Sequence, residues 1–519
     1  MSRLRAFAHD RRGNVVLIFA LAIFVLGMVV ATAIDLTRAS SSKSHLQDTT
    51  DAAVLAAAKA YYQSGNLPAG PRLAAAQAAA NAYMQSMVVN RATTLLNPTW
   101  EVTVSDKGVV TLTSHGASPA YLGSFFGIDK INFTTVAVAQ GGAPRLEVVL
   151  VLDNTGSMKG KKLEELKKAA AALVESLESG AGNSTVAEPL KLGLVPFSMT
   201  VNVGSEYADA AWIDSKGQAS IHGENFTPKK TNRFDLFKQM GAAWAGCVER
   251  RPAAGDYDIL EKPPTAGDPD SLYVPYFAPD EPDADWAGDQ GYQVFNDYLN
   301  DGNTGNNWDA RQKNANKYNA KPASGMGGLG HEYHLGPNAG CELAPIARLT
   351  ADTGPIKATI KDMVAIGNTD VAFGLQWGWH LISPKAPFAD GKPYDTKDLK
   401  KVVILMTDGD NANSEAANPN NSIYSGIGYI QNGRLGITAG SSSARVKAMD
   451  DRLAKLCENM KKEKIELYTM RVEVKGSAST VLQNCASSPS NYFEVAKASD
   501  MNAAFQQIAT SILDLHLSK

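Results

Sequence analysis

Residues 15–33 hold no charge, and only Gly27 and Thr32 interrupt strongly apolar or alanine positions. About 20 residues rising 1.5 Å each cross a bilayer core of about 30 Å, so the pattern predicts a transmembrane helix over 15–36, with 1–14 as a cytoplasmic tail. From Leu36 to Tyr62 there is no Gly or Pro, and Ala39, Leu46, Ala53 and Ala60 recur every seven residues. The membrane helix is therefore expected to run on as one rod. Gly65, Pro68, Gly70 and Pro71 break it, and Arg72 to Asn90 reads as a second Ala-rich helix. After Asn97-Pro98 the period changes to two. Trp100–Val104 and Val109–Thr113 alternate around Asp106-Lys107-Gly108 as a hairpin, and Ile131–Val138 supplies a third strand.

Beyond the Gly141–Pro144 linker the pattern changes again. Near-continuous apolar runs predict buried strands at Glu147–Asp153, Lys191–Ser198, Lys401–Thr407 and Ile465–Val474. Helical segments fall at Lys161–Ser179, Pro355–Ile366, Ala444–Glu463 and Asp500–His516. Such alternation predicts an α/β domain over 145–519, a parallel sheet covered on both faces. Between Val203 and about Thr350 the alternation stops. A stretch that long is not a plain loop, so an inserted subdomain is expected over about 203–350. Its middle, Ala266 to Gln290, carries seven acids and no base, with Tyr273, Tyr276, Phe277 and Trp286 among them. A solvated acidic loop is the first expectation there, a cation- or partner-binding surface the second.

A chain of 519 residues exceeds what one core accommodates, so at least two domains are expected. The net charge of −3 shows no bias towards nucleic acid. Arg3, Arg5, Arg11 and Arg12 precede the apolar run, against Arg38 and Lys43 after it, which places the amino terminus in the cytoplasm and the rest outside. Ala31-Thr32-Ala33 could serve as a signal-peptidase site, but the run is longer than a signal h-region, which favours an uncleaved anchor. Cys247, Cys341, Cys457 and Cys485 all follow the span. Four cysteines in an oxidising compartment allow three disulfide connectivities. Pairing sequence neighbours gives Cys247–Cys341 and Cys457–Cys485, and four free buried thiols are the alternative.

The candidate chemistry sits at strand ends. Asp153-Asn154-Thr155-Gly156-Ser157 follows one buried run and offers a carboxylate and two hydroxyls at i, i+2 and i+4. Gly367-Asn368-Thr369-Asp370 precedes the apolar stretch Val371 to Ile382, and Thr407-Asp408-Gly409 ends another strand. Open α/β sheets place ligands at the carboxyl ends of their strands, and hard oxygen donors suit Mg²⁺ or Mn²⁺. In this order Asp153, Thr155, Ser157, Thr369 and Asp408 resemble the metal-ion-dependent adhesion site of von Willebrand factor A domains. Thr155 stands where that family usually carries a Ser. The resemblance covers roughly 145–200 and 350–519 and implies a doubly wound, Rossmann-like fold whose metal keeps one position open for a partner's acidic oxygen.

The amino-terminal part resembles the TadG-like proteins of Flp (tight adherence) pilus systems. Arg11-Arg12-Gly13-Asn14-Val15, the apolar run, Asp35 and Leu46–Ala53 carry this likeness, which extends weakly to Trp244–Cys247 and Cys341–Thr350. A membrane-rooted helix before a small antiparallel sheet is also how pilins are built, so 37–140 is expected to be a pilin-like module. Ile18 stands where prepilins keep a Glu, which argues against prepilin-peptidase processing. Together these resemblances imply a single-pass protein of the bacterial inner membrane with its carboxyl-terminal region periplasmic or extracellular. It would bind other pilus-assembly proteins or a surface ligand through the metal site. The alternative is a structural minor pilin whose metal site only stabilises the fold.

Other motifs carry less. His331-Glu332-Tyr333-His334 spaces its histidines at i, i+3 where a helical zinc motif needs i, i+4, and Asp301–Asn306 misplaces the glycine of a calcium loop. No nucleophile elbow or P-loop is present, so no enzymatic activity is expected.

Overall fold

The computed structural model describes residues 14–64, 68–88, 95–105, 108–140, 145–182, 187–300, 307–319, 335–473 and 479–514. The arginine cluster at 3–12, the Asp106-Lys107 turn, the 141–144 linker, Asp301–Asn306 and His331–His334 lie outside them. The chain divides into two compact units. One is Met1–Ala143 with Gly182–Thr185 and Leu513–Lys519, and the other is Pro144–Ala181 with Val186–Ile512.

In the first unit, α1 (Asn14–Gln63) is one unbroken 50-residue helix. From Ile18 to Val30 its large apolar side chains, Met28 apart, are each more than half exposed. The helix is long and apolar enough there to cross a membrane. Beyond Asp35 one stripe turns inward: Ala39, Leu46, Ala53, Val54 and Ala57 are buried, at the three- and four-residue steps that align on a helix face. It packs with α2 (Ala69–Val88), whose Ala76, Ala80, Met84 and Val88 repeat every fourth residue, and with the sheet formed by β1 (Leu96–Val104), β2 (Val109–Pro119) and β3 (Lys130–Gln140). Both strand pairs are antiparallel. The β1 register breaks between Leu96 and Thr99, where Pro98 has no N–H to donate. A cluster of three buried hydroxyls enters this core. Thr50 donates its hydroxyl to Leu46 O at 2.6 Å and lies 3.0 Å from Thr135 Oγ1 and 3.1 Å from Ser114 Oγ, so its burial leaves nothing unpaired.

The second unit is a doubly wound α/β sheet. Its parallel strands are β4 (Arg145–Asp153), β5 (Leu190–Phe197), β9 (Leu399–Thr407), β10 (Glu466–Val472) and β11 (Tyr492–Val495). Short β6 (Val201–Asn202) and β7 (Cys247–Val248) pair apart from it, and β8 (Ala347–Thr350) joins it antiparallel. The strand order is β11-β10-β9-β4-β5-β8, so β4 and β9 are the central neighbours. Val148 to Leu152 are completely buried, as a strand covered on both faces requires.

Helix α3 (Lys161–Ala181) covers one face. It meets α11 (Met501–Asp514), where Ser176 Oγ donates to Gln506 Oε1 at 2.7 Å, and α7 (Gly354–Asp362), where Lys357 pairs with Glu178 at 2.7 Å. The other face takes α8 (Val371–Ile382), α9 (Ser442–Lys462) and the short α10 (Thr480–Cys485). Every residue of α8 is buried. It lies this close because two positions lack side chains: a Cβ on Gly374 would sit 2.4 Å from Phe197 Cγ, and one on Gly378 would sit 2.5 Å from Val151 Cγ2.

The inserted stretch carries short helices α4 (Arg233–Met240), α5 (Ala284–Asp289) and α6 (Trp308–Lys313). Its Trp212, Phe226, Phe237, Tyr273, Phe277 and Tyr318 join one hydrophobic cluster with α8 and the sheet. Disulfides join Cys247 to Cys341 and Cys457 to Cys485. The acidic stretch departs in part from both sequence expectations: Asp285 and Asp289 are exposed, but its centre is not. Asp280 and Glu281 are buried rather than solvated, and Tyr273, Tyr276, Phe277 and Trp286 are buried too and offer no binding surface. Asp280 accepts the N–H groups of Tyr298 and Leu299, both at 2.7 Å, and pairs with Lys317 at 2.8 Å. Burial pushes the carboxyl groups of Asp280 and Glu281 each up to about 7.

Gly374→Ala tests the close packing of α8. Helix propensity alone would favour alanine by about 1 kcal/mol. The contact with the completely buried Phe197 ring opposes this, and overpacking costs about 1–3 kcal/mol. A net loss of stability is expected in chemical denaturation of the purified protein.

Candidate functional site

Parallel pairing of β4 with β9 sets Leu152 opposite Met406, so both strands end at one edge of the sheet. Asp153 is the last residue of β4, and Asp408 follows β9 directly. After Asp153 the chain turns through Asn154 and Thr155 into a 3₁₀ turn, Gly156–Met158, and then into α3.

Four of the five expected residues are brought together by direct hydrogen bonds. Asp153 Oδ1 accepts from the Thr155 N–H at 2.8 Å, and its Oδ2 accepts from the Thr407 hydroxyl at 2.6 Å. The Thr155 and Ser157 hydroxyl oxygens are 2.9 Å apart. Ser157 then donates to Asp408 Oδ1 at 2.6 Å. The fifth, Thr369, is brought into the same loop cluster through main chain. The Gly156 N–H donates to Gly367 O and the Ala412 N–H donates to Thr369 O, both at 2.9 Å. Among the described residues its hydroxyl makes no hydrogen bond to the other four.

Asp153 is completely buried. Burial, and then the charge of Asp408, push its carboxyl up to about 6, against the opposing pull of the Thr155 and Thr407 hydrogen bonds. Asp408 has a cationic partner, since Lys162 Nζ lies 2.7 Å from its Oδ2 with a quarter of the lysine side chain exposed. Near the ends of β4 and β5, Asn154 Oδ1 and Ser198 Oγ are buried without a hydrogen-bond partner among the described residues. Two carboxylates that repel each other, hydroxyls beside them and no sulfur or imidazole make a hard oxygen set suited to Mg²⁺ or Mn²⁺. Among the described residues there is no group of three His, Cys, Asp or Glu side chains that could hold a metal. Such a site would therefore depend on its hydroxyls.

Sequence reasoning missed several supporting groups. Thr407 lies inside the Thr-Asp-Gly motif and was open to that reading. Lys162 offered no signal, because only the start of α3 turns it back towards Asp408. Arg250, from the inserted stretch, is buried and bridges Asp258 at 2.8 Å and Asp370 at 3.1 Å. Asp370 also caps α8 by accepting the Phe373 N–H at 3.1 Å, and Asn411 Oδ1 accepts the Val371 N–H at 2.9 Å. The loop carrying Thr369 is thus fixed from the insertion and from the segment after Asp408.

Comparison with solved structures returns pilus proteins and a byssus matrix protein, each at a low TM-score. The pilus adhesin SpaC from Lactobacillus rhamnosus GG has a TM-score of 0.33 at 11% identity, covering 80% of this chain and 34% of its own. The von Willebrand factor domain of the type V pili tip protein Mfa5 from Porphyromonas gingivalis has a TM-score of 0.32 at 10% identity, covering 72% of this chain and 97% of its own. Proximal thread matrix protein 1 from the mussel byssus, solved with a zinc-occupied MIDAS motif, has a TM-score of 0.27 at 12% identity, covering 70% of this chain and 47% of its own. The chain thus spans about a third of the length of SpaC. No curated protein matches it. Residues 13–60 match the Tad family, described as putative Flp pilus-assembly TadE/G-like, so the amino-terminal part of this chain is similar to that family.

Proposed function

We propose that this chain is a membrane-anchored, extracytoplasmic protein of Flp pilus assembly that binds a protein or surface partner through a divalent cation. Asp153, Thr155, Ser157, Thr369 and Asp408 would hold Mg²⁺ or Mn²⁺. The observation that carries the reading is the buried, mutually repelling pair Asp153 and Asp408 at neighbouring strand ends, ringed by the Thr155 and Ser157 hydroxyls. When bound, the cation would offset that repulsion and present an electrophilic position to an acidic oxygen of the partner. The TadE/G-like segment and α1, long and apolar enough to cross a membrane, support single-pass anchoring in the bacterial inner membrane. This reading is non-enzymatic.

A second reading, a structural minor pilin or anchor, is favoured by one specific contact. Lys162 neutralises Asp408 from within the chain, so the loops hold together through protein contacts alone. In that case the site stabilises the fold and contacts no ligand.

Calorimetry with Mg²⁺ and Mn²⁺ on the purified chain separates the cases. Asp153→Ala should abolish the binding heat while the fold persists, whereas Thr155→Ser should bind like the wild type because the hydroxyl is kept. Equal metal affinity in wild type and Asp153→Ala would sink the proposal. Loss of the binding heat with partner capture unchanged would leave the structural reading.

Affinity should also fall as pH drops through about 6, because the cation must then displace the Asp153 proton. The metal-free protein has the opposite trend at this site. Its folded carboxyl holds the proton more tightly than the unfolded one, so the stability it contributes is full below the ordinary carboxylate range and is lost as pH rises through about 6. Melting temperature measured against pH, with and without Mg²⁺, checks both signs.

Lys162→Met removes the competing ammonium and keeps the apolar stem. It should tighten Mg²⁺ binding several-fold in the same titration.

A further inference from the structure

The loop between β2 and β3 is tied to α1 by one carboxylate. Asp35, 3% exposed, accepts the N–H groups of Tyr121 at 3.2 Å, Leu122 at 2.9 Å and Gly123 at 2.7 Å. One turn further along α1, the Arg38 guanidinium lies 4.4 Å from the centre of the Tyr121 ring. Hydrogen bonds to a carboxylate are the stronger kind, and three of them fix the loop's level along the helix.

That level matters. Asp35 is the first charged residue after the uncharged run that begins at Gly13, and about 20 residues at 1.5 Å each fill a bilayer core of about 30 Å. The loop is therefore fastened where the apolar span ends. The sheet runs alongside α1 from there, because at its far end Tyr62 donates to Gly108 O at 2.5 Å.

The loop's surface does not suit water. Phe125 is 81% exposed, Ile128 54% and Tyr121 52%, and Ile34 and Leu36 of α1, on either side of Asp35, are also exposed. Gly127, at φ 79°, closes the turn that holds Phe125 outward. Aromatic side chains beside a membrane-crossing helix are favoured at the level of the lipid headgroups.

We propose that residues 121–128 form a second membrane contact, with Phe125, Ile128 and Tyr121 seated in the interfacial layer of the bilayer that α1 crosses. The occupant of this apolar surface is lipid, on the leaflet where α1 emerges. A helix held at two points has its tilt and rotation fixed, which an isolated span does not. The inference rests on α1 spanning the membrane.

The test uses the full chain in phosphatidylethanolamine–phosphatidylglycerol vesicles. All four native cysteines are disulfide-bonded, so an introduced cysteine is the single reactive thiol. Phe125→Cys, Leu26→Cys and Val138→Cys are each labelled with an environment-sensitive dye, and quenching by lipids spin-labelled near the headgroup or in mid-chain is measured. Val138 is an exposed apolar control on the same sheet, seven residues along β3 from Ile131 and about 23 Å away at the usual rise. The expected result is strong headgroup-level quenching at 125, mid-chain quenching at 26 and several-fold weaker quenching at 138. Quenching at 26 with none at 125 overturns the loop contact and keeps the anchor. No quenching at either position removes the spanning reading, and the loop contact with it. A blue-shifted but unquenched dye at 125 overturns the proposal in favour of a protein covering.

Discussion

Two carboxylates ending neighbouring parallel strands cannot both be buried and charged without a positive group nearby. Much of the second unit's carboxyl edge answers to that constraint. Lys162 serves Asp408 from the first turn of α3, while Asp153, with no cationic partner among the described residues, keeps its proton up to about 6 and is held by a backbone N–H and the Thr407 hydroxyl. The hydroxyls of Thr155 and Ser157 link the two acids into one network. The arrangement is satisfied as it stands, yet it keeps one acid in the less favoured state at neutral pH.

The elements that could be read from sequence were those whose identity is local. Val148–Leu152 and Val402–Met406 announce buried strands because both faces of the central sheet are covered, so no polar alternation interrupts them. The strands β8 and β11 were not legible. Four residues such as Ala347-Arg348-Leu349-Thr350 become a strand only because β5 is there to pair with them. The same division runs through the site. Asp153, Thr155, Ser157 and Asp408 belong to short motifs at strand ends, whereas the Thr369 loop is held by Arg250, which arrives from a distant part of the chain. The centre of the acidic stretch misled because a charge run usually marks a solvated face. Here Lys317 and the Tyr298 and Leu299 amides, all later in the chain, draw Asp280 inside.

The inserted stretch therefore does more than extend the second unit. Its aromatic side chains share one core with α8, and its arginine holds the cap of that same helix. A change in the insertion would reach the strand ends through α8, which is packed too closely on Phe197 and Val151 to shift alone.

The two borders of the large sheet have a further consequence. Both β8 and β11 are four residues long, and each carries a charge: Arg348 is paired with Asp390 at 2.6 Å, and Glu494 with Arg471 at 3.2 Å. Short, charged borders offer little template for strand addition from another molecule. Neighbouring copies therefore cannot readily zip together into cross-β stacks along this sheet.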